Sequence, residues 1–77
     1  MSGRRARRVK AQLAANVVRL RRELGLSQVD LAAHAHVQQK LISSIELARA
    51  NPTIESLYRI ARALGVETHD LLGAAGS

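Results

Sequence analysis

The stretch SQVDLAAHAHVQQKLISSIE, residues 27–46, decides the fold that this chain is predicted to adopt. It begins with Ser27, a residue favoured at helix N-caps, and Asp30 stands three residues later, where a capping box has its acid. Near the end of the stretch, Ile42 and Ile45 have the spacing of one buried helix face. The stretch therefore predicts two short helices in close succession.

The connection between these two helices is only a few residues long and centres on His36. Val37 precedes the expected N-cap, Gln38, and Ile42 stands four residues beyond that cap, which is the arrangement of a hydrophobic staple. Two short helices joined by so tight a turn predict a helix-turn-helix unit. In such units the second helix lies in the major groove of DNA.

Apolar residues on both sides of this unit also recur at helical spacing. The stripe before it is formed by Leu13, Val17, Leu20 and Leu24. The stripe after it is formed by Leu57, Ile60, Ala61 and Leu64. Gly25 and Gly65 stand where helix C-caps are expected, and Thr53 can cap the helix after Pro52.

The complete pattern predicts an all-α fold, a compact bundle of about five short helices that contains the helix-turn-helix. No segment alternates with the period of two that marks a strand. The expected boundaries are a flexible basic arm over residues 1–8, a DNA-binding domain over 9–73 and a frayed tail over 74–77. Leu71 and Leu72 belong either to the core or to a dimer interface, and on so small a domain the dimer interface is favoured.

Composition limits the class of protein. A chain of 77 residues makes one small domain, and the absence of cysteine excludes disulfides and thiolate zinc sites. No apolar run approaches the ~20 residues that a membrane-spanning helix needs. Tyr58 is the only aromatic residue, which argues against the stacking platforms that hold single-stranded nucleic acid.

The charge is unevenly distributed. The formal net charge is +6, from 12 basic and 6 acidic residues. The first 22 residues contain no acid and carry Arg4, Arg5, Arg7, Arg8, Lys10, Arg19, Arg21 and Arg22. Such a field favours a polyanion as partner, and a membrane surface fits less well because the arm lacks an apolar face. The arm itself is either a contact to phosphates or the minor groove, or a solubilising tail.

On the second helix of the unit, the side opposite the two isoleucines is polar. It carries Gln39, Lys40, Ser43 and Ser44. Glutamine can pair with adenine and lysine can reach guanine, while serine tolerates several bases. Leu41 and Leu47 contact either thymine methyl groups or the edge of the core. The alternative for the whole face is an ordinary solvated helix surface.

Residues 13–72 resemble the Cro and phage-repressor type of helix-turn-helix domain, often called the XRE family. The resemblance is carried by LRRELGLSQVDLA (20–32), ISSIE (42–46) and NPTIESLYRIARALGV (51–66), in that order and spacing. It implies a lambda-repressor-like bundle of five helices that binds operator DNA, usually as a symmetric dimer.

The resemblance also implies roles for individual residues. The positions that face the bases match Gln39, Lys40, Ser43 and Ser44. Contacts to the DNA backbone are expected from Gln28, Gln38, Arg49 and, in the arm, Arg4, Arg5, Arg7 and Arg8. Arg21 and Glu46 match a structural ion pair across the bundle. Leu71 and Leu72 match the dimer interface.

The chain departs from the family pattern around its third helix. His36 and Ala48 stand where the family usually has glycine, and Gln38 replaces the usual small cap. Leu47 replaces a basic residue, which leaves Arg49 alone to contact phosphate after that helix. The turn is therefore expected to be strained or rearranged, and histidine tolerates a positive φ better than a β-branched residue does.

The histidines raise the question of a metal site. His34 and His36 would need further ligands, for which only His69, Asp30 and Asp70 are available. His34 instead suits the C-terminus of a helix, where a cationic group is favoured. No metal and no cofactor are expected. The chain also lacks a phosphate-binding glycine loop and paired catalytic carboxylates, so it is not expected to be an enzyme.

These observations favour a sequence-specific transcriptional regulator that binds double-stranded DNA as a homodimer on a palindromic operator, in the cytoplasm and associated with the nucleoid. It would repress by occluding a promoter or activate by contacting RNA polymerase. The DNA-binding domain is expected to make up almost the whole chain, as it does in small restriction–modification controller proteins. One alternative is an antitoxin that binds a toxin and represses its own operon. A second alternative is a non-specific nucleic-acid-binding protein driven by the arm.

Overall fold

The computed structural model describes residues 3–73, which form four α-helices and one turn of 3-10 helix. The helices are α1 (Gly3–Glu23), α2 (Gln28–Ala35), α3 (Gln39–Glu46) and α4 (Ile54–Leu64), followed by the 3-10 helix Thr68–Leu71. Residues 3–73 contain no strand. The predicted all-α fold is confirmed, and the expected fifth helix is this single 3-10 turn.

Local signals in the sequence set the helix ends. At the start of α2, the Ser27 hydroxyl accepts from the Asp30 amide at 3.0 Å, and the Ser27 amide donates to the Asp30 carboxylate at 3.1 Å. Hydrogen bonding of the Asp30 carboxylate to the Ser27 backbone amide, and secondly to the Ser27 side chain, lowers the pKa of Asp30. Thr53 caps α4 by accepting from the Ser56 amide at 3.0 Å. Gly65 ends α4 in the left-handed conformation, with a φ of 75°.

The core lies where the inner faces of all five elements meet. Its largest fully buried side chains are Val17, Leu31, Ile42, Ile45, Ile60 and Leu71. α2 packs against both α3 and α4, while α1 packs against α3 and the 3-10 helix. Because α3 is only eight residues long, it depends on tertiary contacts, and its two isoleucines are the residues that it buries in the core. No helix within residues 3–73 is long and apolar enough to cross a membrane.

The N-terminal segment differs from the expected arm. α1 begins at Gly3, so residues 3–8 are helical and continuous with the domain, while residues 1 and 2 lie outside the described part of the chain. Arginine and alanine are strong helix formers, and no proline or glycine after residue 3 interrupts the helix. The expected tail over 74–77 also lies outside the described residues.

Two leucines are placed differently from expectation. Leu24 was expected on the apolar stripe of the first helix, but it lies beyond the end of α1 and is 53% exposed. Leu71 was expected at a dimer interface, but it is fully buried in the core of its own chain. The 3-10 turn points this side chain inward against α1 and α4, so it cannot contact a partner.

Asn16 is a buried polar residue that sequence reasoning missed. It is 2% exposed, and its Nδ2 lies 2.9 Å from the Leu71 carbonyl, 2.8 Å from the Gly73 carbonyl and 3.4 Å from the Asp70 carbonyl. It thus supplies a donor to carbonyls that a helix end leaves without partners. A signal was available, because Asn16 follows Leu13 by three residues and therefore lies on the buried stripe of α1.

Two residues other than glycine adopt the left-handed backbone conformation. They are His36, with a φ of 57°, and Ala48, with a φ of 58°. They are the positions where the resemblance expects glycine. The turns are therefore strained but not rearranged, since a Cβ in this conformation costs about 1–2 kcal/mol.

Ala48→Gly is expected to stabilise the domain by roughly 0.5–1 kcal/mol, because relief of this strain exceeds the added chain entropy of glycine. Thermal unfolding should show a melting temperature a few degrees higher. Ala33→Gly is the control, because Ala33 is exposed within α2 and glycine should cost about 1 kcal/mol there. Equal losses in both variants would contradict the strain at Ala48.

Candidate nucleic-acid interface

The α2–α3 connection has the geometry of a helix-turn-helix. His36 ends α2 in the left-handed conformation (φ 57°, ψ 44°), and the Val37 amide donates back to the Ala32 carbonyl at 3.0 Å. Val37 is half-buried against the core beneath the turn. From α4, the Arg59 guanidinium donates to the His36 carbonyl at 3.3 Å. The turn is thus held from two sides, and this role of Arg59 was not foreseen from the sequence.

α3 separates an apolar face from a polar one. Ile42 and Ile45 are buried, with 0% and 1% exposure. On the other side the predicted base-reading residues lie together: Gln39 and Lys40 are exposed, and Ser43 and Ser44 are half-buried. The helix therefore presents amide, ammonium and hydroxyl groups to the outside while its isoleucines anchor it.

The two leucines beside the polar face differ in burial. Leu41 is half-buried and packs against the core, so it covers the core edge. Leu47, which follows the last turn of α3, is 59% exposed. Of the two, only Leu47 offers an open apolar surface beside the polar face.

The N-terminus of α3 is open. Gln38 adopts the extended backbone of an N-cap, with a φ of −76° and a ψ of 146°, but its side chain makes no capping hydrogen bond. The amides of the first turn are therefore not satisfied by the cap side chain. Such a helix end is suited to an anion such as a DNA phosphate.

A partly buried ion pair ties α3 to α1. Arg21 Nε donates to Glu46 Oε2 at 2.7 Å and Arg21 Nη2 to Glu46 Oε1 at 3.0 Å, which is a bidentate contact. The two side chains are only 13% and 8% exposed. Arg21 Nη1 also donates to the Leu26 carbonyl at 2.9 Å. The pair that the resemblance implied is present, and it fixes the last turn of α3 against α1.

Gln28, the first residue of α2, joins the same network. Its Nε2 donates to Glu46 Oε1 at 2.9 Å, and the residue is half-buried. Gln28 was predicted to contact the DNA backbone, and that contact stays a prediction. In the structure its side chain connects α2 to α3, so Glu46 holds both helices of the unit and α1 together.

The ionisation of Glu46 is controlled by this network. Burial opposes its charge, but hydrogen bonds from Arg21 and Gln28 and the fields of Arg21 and Arg22 outweigh burial and lower its pKa. The pKa of Arg21 is raised in turn, chiefly by its hydrogen bond to Glu46. Glu46 is therefore a carboxylate, and Arg21 a cation, at neutral pH.

A pH dependence of stability follows. A carboxyl group with a lowered pKa in the folded state stabilises the fold above its ordinary value of 4.5 and loses that contribution as the pH falls through the folded value. Urea unfolding between pH 7 and 3 should show wild type more stable than Glu46→Gln at pH 7, with the difference shrinking below about 4.5. Asp30 also has a lowered pKa, but it is present in both proteins and therefore contributes equally to the two pH profiles. A constant difference at every pH would contradict the assignment.

The predicted phosphate contacts are placed in two groups. Arg49 is exposed directly after α3. The exposed arginines at the start of α1 are Arg4, Arg5, Arg7 and Arg8. His34 and His36 are exposed at the end of α2, and within residues 3–73 no three histidine or acidic side chains come together in a way that could hold a metal ion.

An anchored turn and an outward polar helix define a DNA-binding class of domain. Comparison with known proteins identifies the class: the profile of the helix-turn-helix family HTH_3 matches residues 17–71. An uncharacterised HTH-type transcriptional regulator of Sinorhizobium fredii is 43% identical over 60 residues, which are 78% of each chain. The immunity repressor protein of Bacillus phage phi105 is 35% identical over 54 residues, which are 70% of this chain and 38% of the repressor.

Two solved structures share the fold of this chain. The fold matches a hypothetical transcription factor from Neisseria with a TM-score of 0.83 and 31% identity, over 87% of this chain and 77% of the other. It also matches the restriction–modification controller protein C.AhdI of Aeromonas hydrophila with a TM-score of 0.77 and 24% identity, over 80% and 94%. The chain belongs to the helix-turn-helix family of Cro/repressor-type transcriptional regulators, which are DNA-binding proteins and not enzymes.

Proposed function

We propose that this chain is a sequence-specific transcriptional regulator that binds double-stranded operator DNA as a homodimer. The operator has two half-sites about one helical turn apart. The observation that carries the proposal is the division of α3, whose isoleucines are buried while Gln39 and Lys40 are exposed beside an open helix N-terminus. Family membership adds that such a helix belongs to a DNA-binding domain.

The contacts divide by type. Gln39 and Lys40, at the exposed start of α3, read base edges, with Ser43 and Ser44 beside them. Phosphate contacts come from the open amides of α3, from Gln38 and Gln28, and from Arg49 after the helix. Such a partner places the protein on the nucleoid in the cytoplasm.

The dimer is proposed to form beside Leu72. Leu71 is buried, so of the two leucines considered only Leu72, which is half-buried at the end of the 3-10 turn, can contact a second copy. A two-fold dimer would mirror a palindromic operator.

Selection of bound duplexes from a random library tests the proposal directly. We expect a palindromic consensus, and sizing of the complex on that consensus should give two chains per duplex. Competition with random-sequence DNA at fixed salt then measures discrimination. Equal affinity for all duplexes would leave only the non-specific alternative, and one chain on an asymmetric site would contradict the homodimer.

The basic start of α1 predicts a salt effect. Changing Arg4, Arg5, Arg7 and Arg8 together to glutamine should weaken binding to specific and random duplexes alike. If these residues contact phosphates, the slope of log affinity against log salt should become shallower by roughly 0.9 for each phosphate that the variant no longer neutralises. The same four positions changed to lysine keep the charge and should keep the slope. An unchanged slope in the glutamine variant would show a solubilising segment instead.

A further inference from the structure

Leu47 is an exposed apolar side chain directly after α3. It is 59% exposed, whereas Leu41, the other leucine beside the polar face, is half-buried against the core. A single exposed leucine is common on protein surfaces and by itself indicates no function. The significance of Leu47 lies in its place relative to the residues that are proposed to read bases.

Leu47 continues the helical direction of α3. Its amide donates to the Ser43 carbonyl at 3.1 Å, which is the i to i−4 bond of an α-helix. Counted from Gln39, a rotation of about 100° per residue places Leu47 at about 80°. On the same scale Ser43 lies at about 40° and Lys40 at about 100°, whereas the two buried isoleucines lie at about 240° and 300°. Leu47 therefore stands in the middle of the outward face, opposite the core.

The backbone at Leu47 is held in place from both sides. Before it, Glu46 takes part in the ion pair with α1. After it, the Ala48 amide donates to the Ile45 carbonyl, and the Arg49 amide donates to the carbonyl one residue earlier, both at 2.9 Å. These two bonds form a Schellman motif, in which the residue after the cap has a left-handed backbone, as Ala48 does. The leucine is thus presented at a fixed place, and a contact to it costs little backbone entropy.

The chemistry of DNA limits what a leucine at this place can bind. Phosphate oxygens accept hydrogen bonds, and the base edges of the major groove present donors and acceptors, but a leucine side chain is neither donor nor acceptor. The apolar group that these edges present is the C5-methyl of thymine. The exposed cations Lys40 and Arg49 flank Leu47 in the sequence and favour close approach of the polyanion.

We propose that Leu47 is a specificity-determining residue that packs against the methyl group of a thymine in each operator half-site. The inference rests on the proposed binding to operator DNA and adds a base that hydrogen bonding does not select. Leu47 stands seven residues beyond Lys40, which is about 10 Å along a helix. Since successive base pairs are about 3.4 Å apart, the two side chains contact different base pairs.

Removal of single methyl groups from the selected operator tests this contact. Each thymine of one half-site is replaced in turn by deoxyuridine, which pairs with adenine in the same way but lacks the C5-methyl. The dissociation constants of wild type and Leu47→Ala are measured for every duplex at one salt concentration. Leu24→Ala is the matched control, because Leu24 is 53% exposed but lies between α1 and α2. Circular dichroism first confirms that each variant is folded.

Wild type is expected to lose affinity about fourfold at one thymine position, the effect of exposing one buried methyl-sized group. Leu47→Ala is expected to bind the thymine operator more weakly, by about the same factor for each half-site, and to bind thymine and deoxyuridine duplexes equally at that position. Leu24→Ala should keep both the affinity and the thymine preference of wild type.

A selected half-site without thymine would overturn the contact and leave sequence-specific binding intact. So would deoxyuridine effects that are the same in wild type and Leu47→Ala at every position, because the methyl group would then not be recognised through Leu47. Equal affinity of wild type for all duplexes in the selection would overturn both the contact and the proposed function.

Discussion

Glu46→Ala is expected to destabilise the domain by about 1.5–3 kcal/mol, because it removes one partner of a partly buried ion pair and leaves the other without its charged hydrogen bonds. Arg21, whose side chain is 13% exposed, would keep its charge without the two bonds of 2.7 and 3.0 Å that now compensate its burial. Gln28 would lose its acceptor at the same time. Urea unfolding at pH 7 should show the loss as a lower midpoint with an unchanged slope.

Glu23→Ala is the matched control. Glu23 pairs with Arg19 at 3.6 Å, but the two side chains are 61% and 44% exposed, and such surface pairs contribute only about 0–1 kcal/mol. The comparison thus separates burial from charge. A loss in Glu46→Ala no larger than in Glu23→Ala would mean that the pair does not fix α3 against α1.

Lys40→Ala and Gln39→Ala are each expected to lose about 1–3 kcal/mol of binding free energy on the selected operator, while the fold is retained. Both side chains are exposed at the start of α3, so truncation leaves the buried Ile42 and Ile45 in place. Titration of labelled operator and random duplex at one salt concentration should show that most of the loss falls on the operator. The ratio of the two affinities therefore measures base reading.

Arg62→Ala provides the control for Lys40→Ala, since it also removes one exposed cation, but from α4. It should change both affinities little and leave their ratio unchanged. If Lys40→Ala reduced operator and random binding equally, Lys40 would be a phosphate contact. If both α3 variants bound the operator normally, the recognition face would lie elsewhere.

Local sequence signals predicted most of the fold correctly. The Ser27–Asp30 capping box, the Thr53 cap and the end of α4 at Gly65 are interactions between residues at most four apart, so residue type and spacing are sufficient to predict them. The stripe on α4 was also predicted correctly, since its four members are all buried. The same holds for the polar face of α3, because a buried pair of isoleucines leaves the opposite side exposed.

Contacts between residues far apart in the sequence cannot be predicted from local residue type and spacing. The Arg21–Glu46 pair was expected only from the family resemblance, because nothing in residue spacing connects positions 25 residues apart. Asn16 binds carbonyls more than 50 residues away, and Arg59 reaches the turn at His36 from α4. These contacts hold the helix-turn-helix in place, and they depend on how the helices pack.

By itself the sequence determined the all-α class of the fold, the tight turn between α2 and α3, and the chemistry that α3 presents. Only the tertiary structure decided that Leu71 is core while Leu72 is accessible, and that Leu41 is half-buried while Leu47 is exposed. The reason is physical. Caps and periodicity act within one or two turns of chain, whereas burial of a given side chain depends on which distant element covers it.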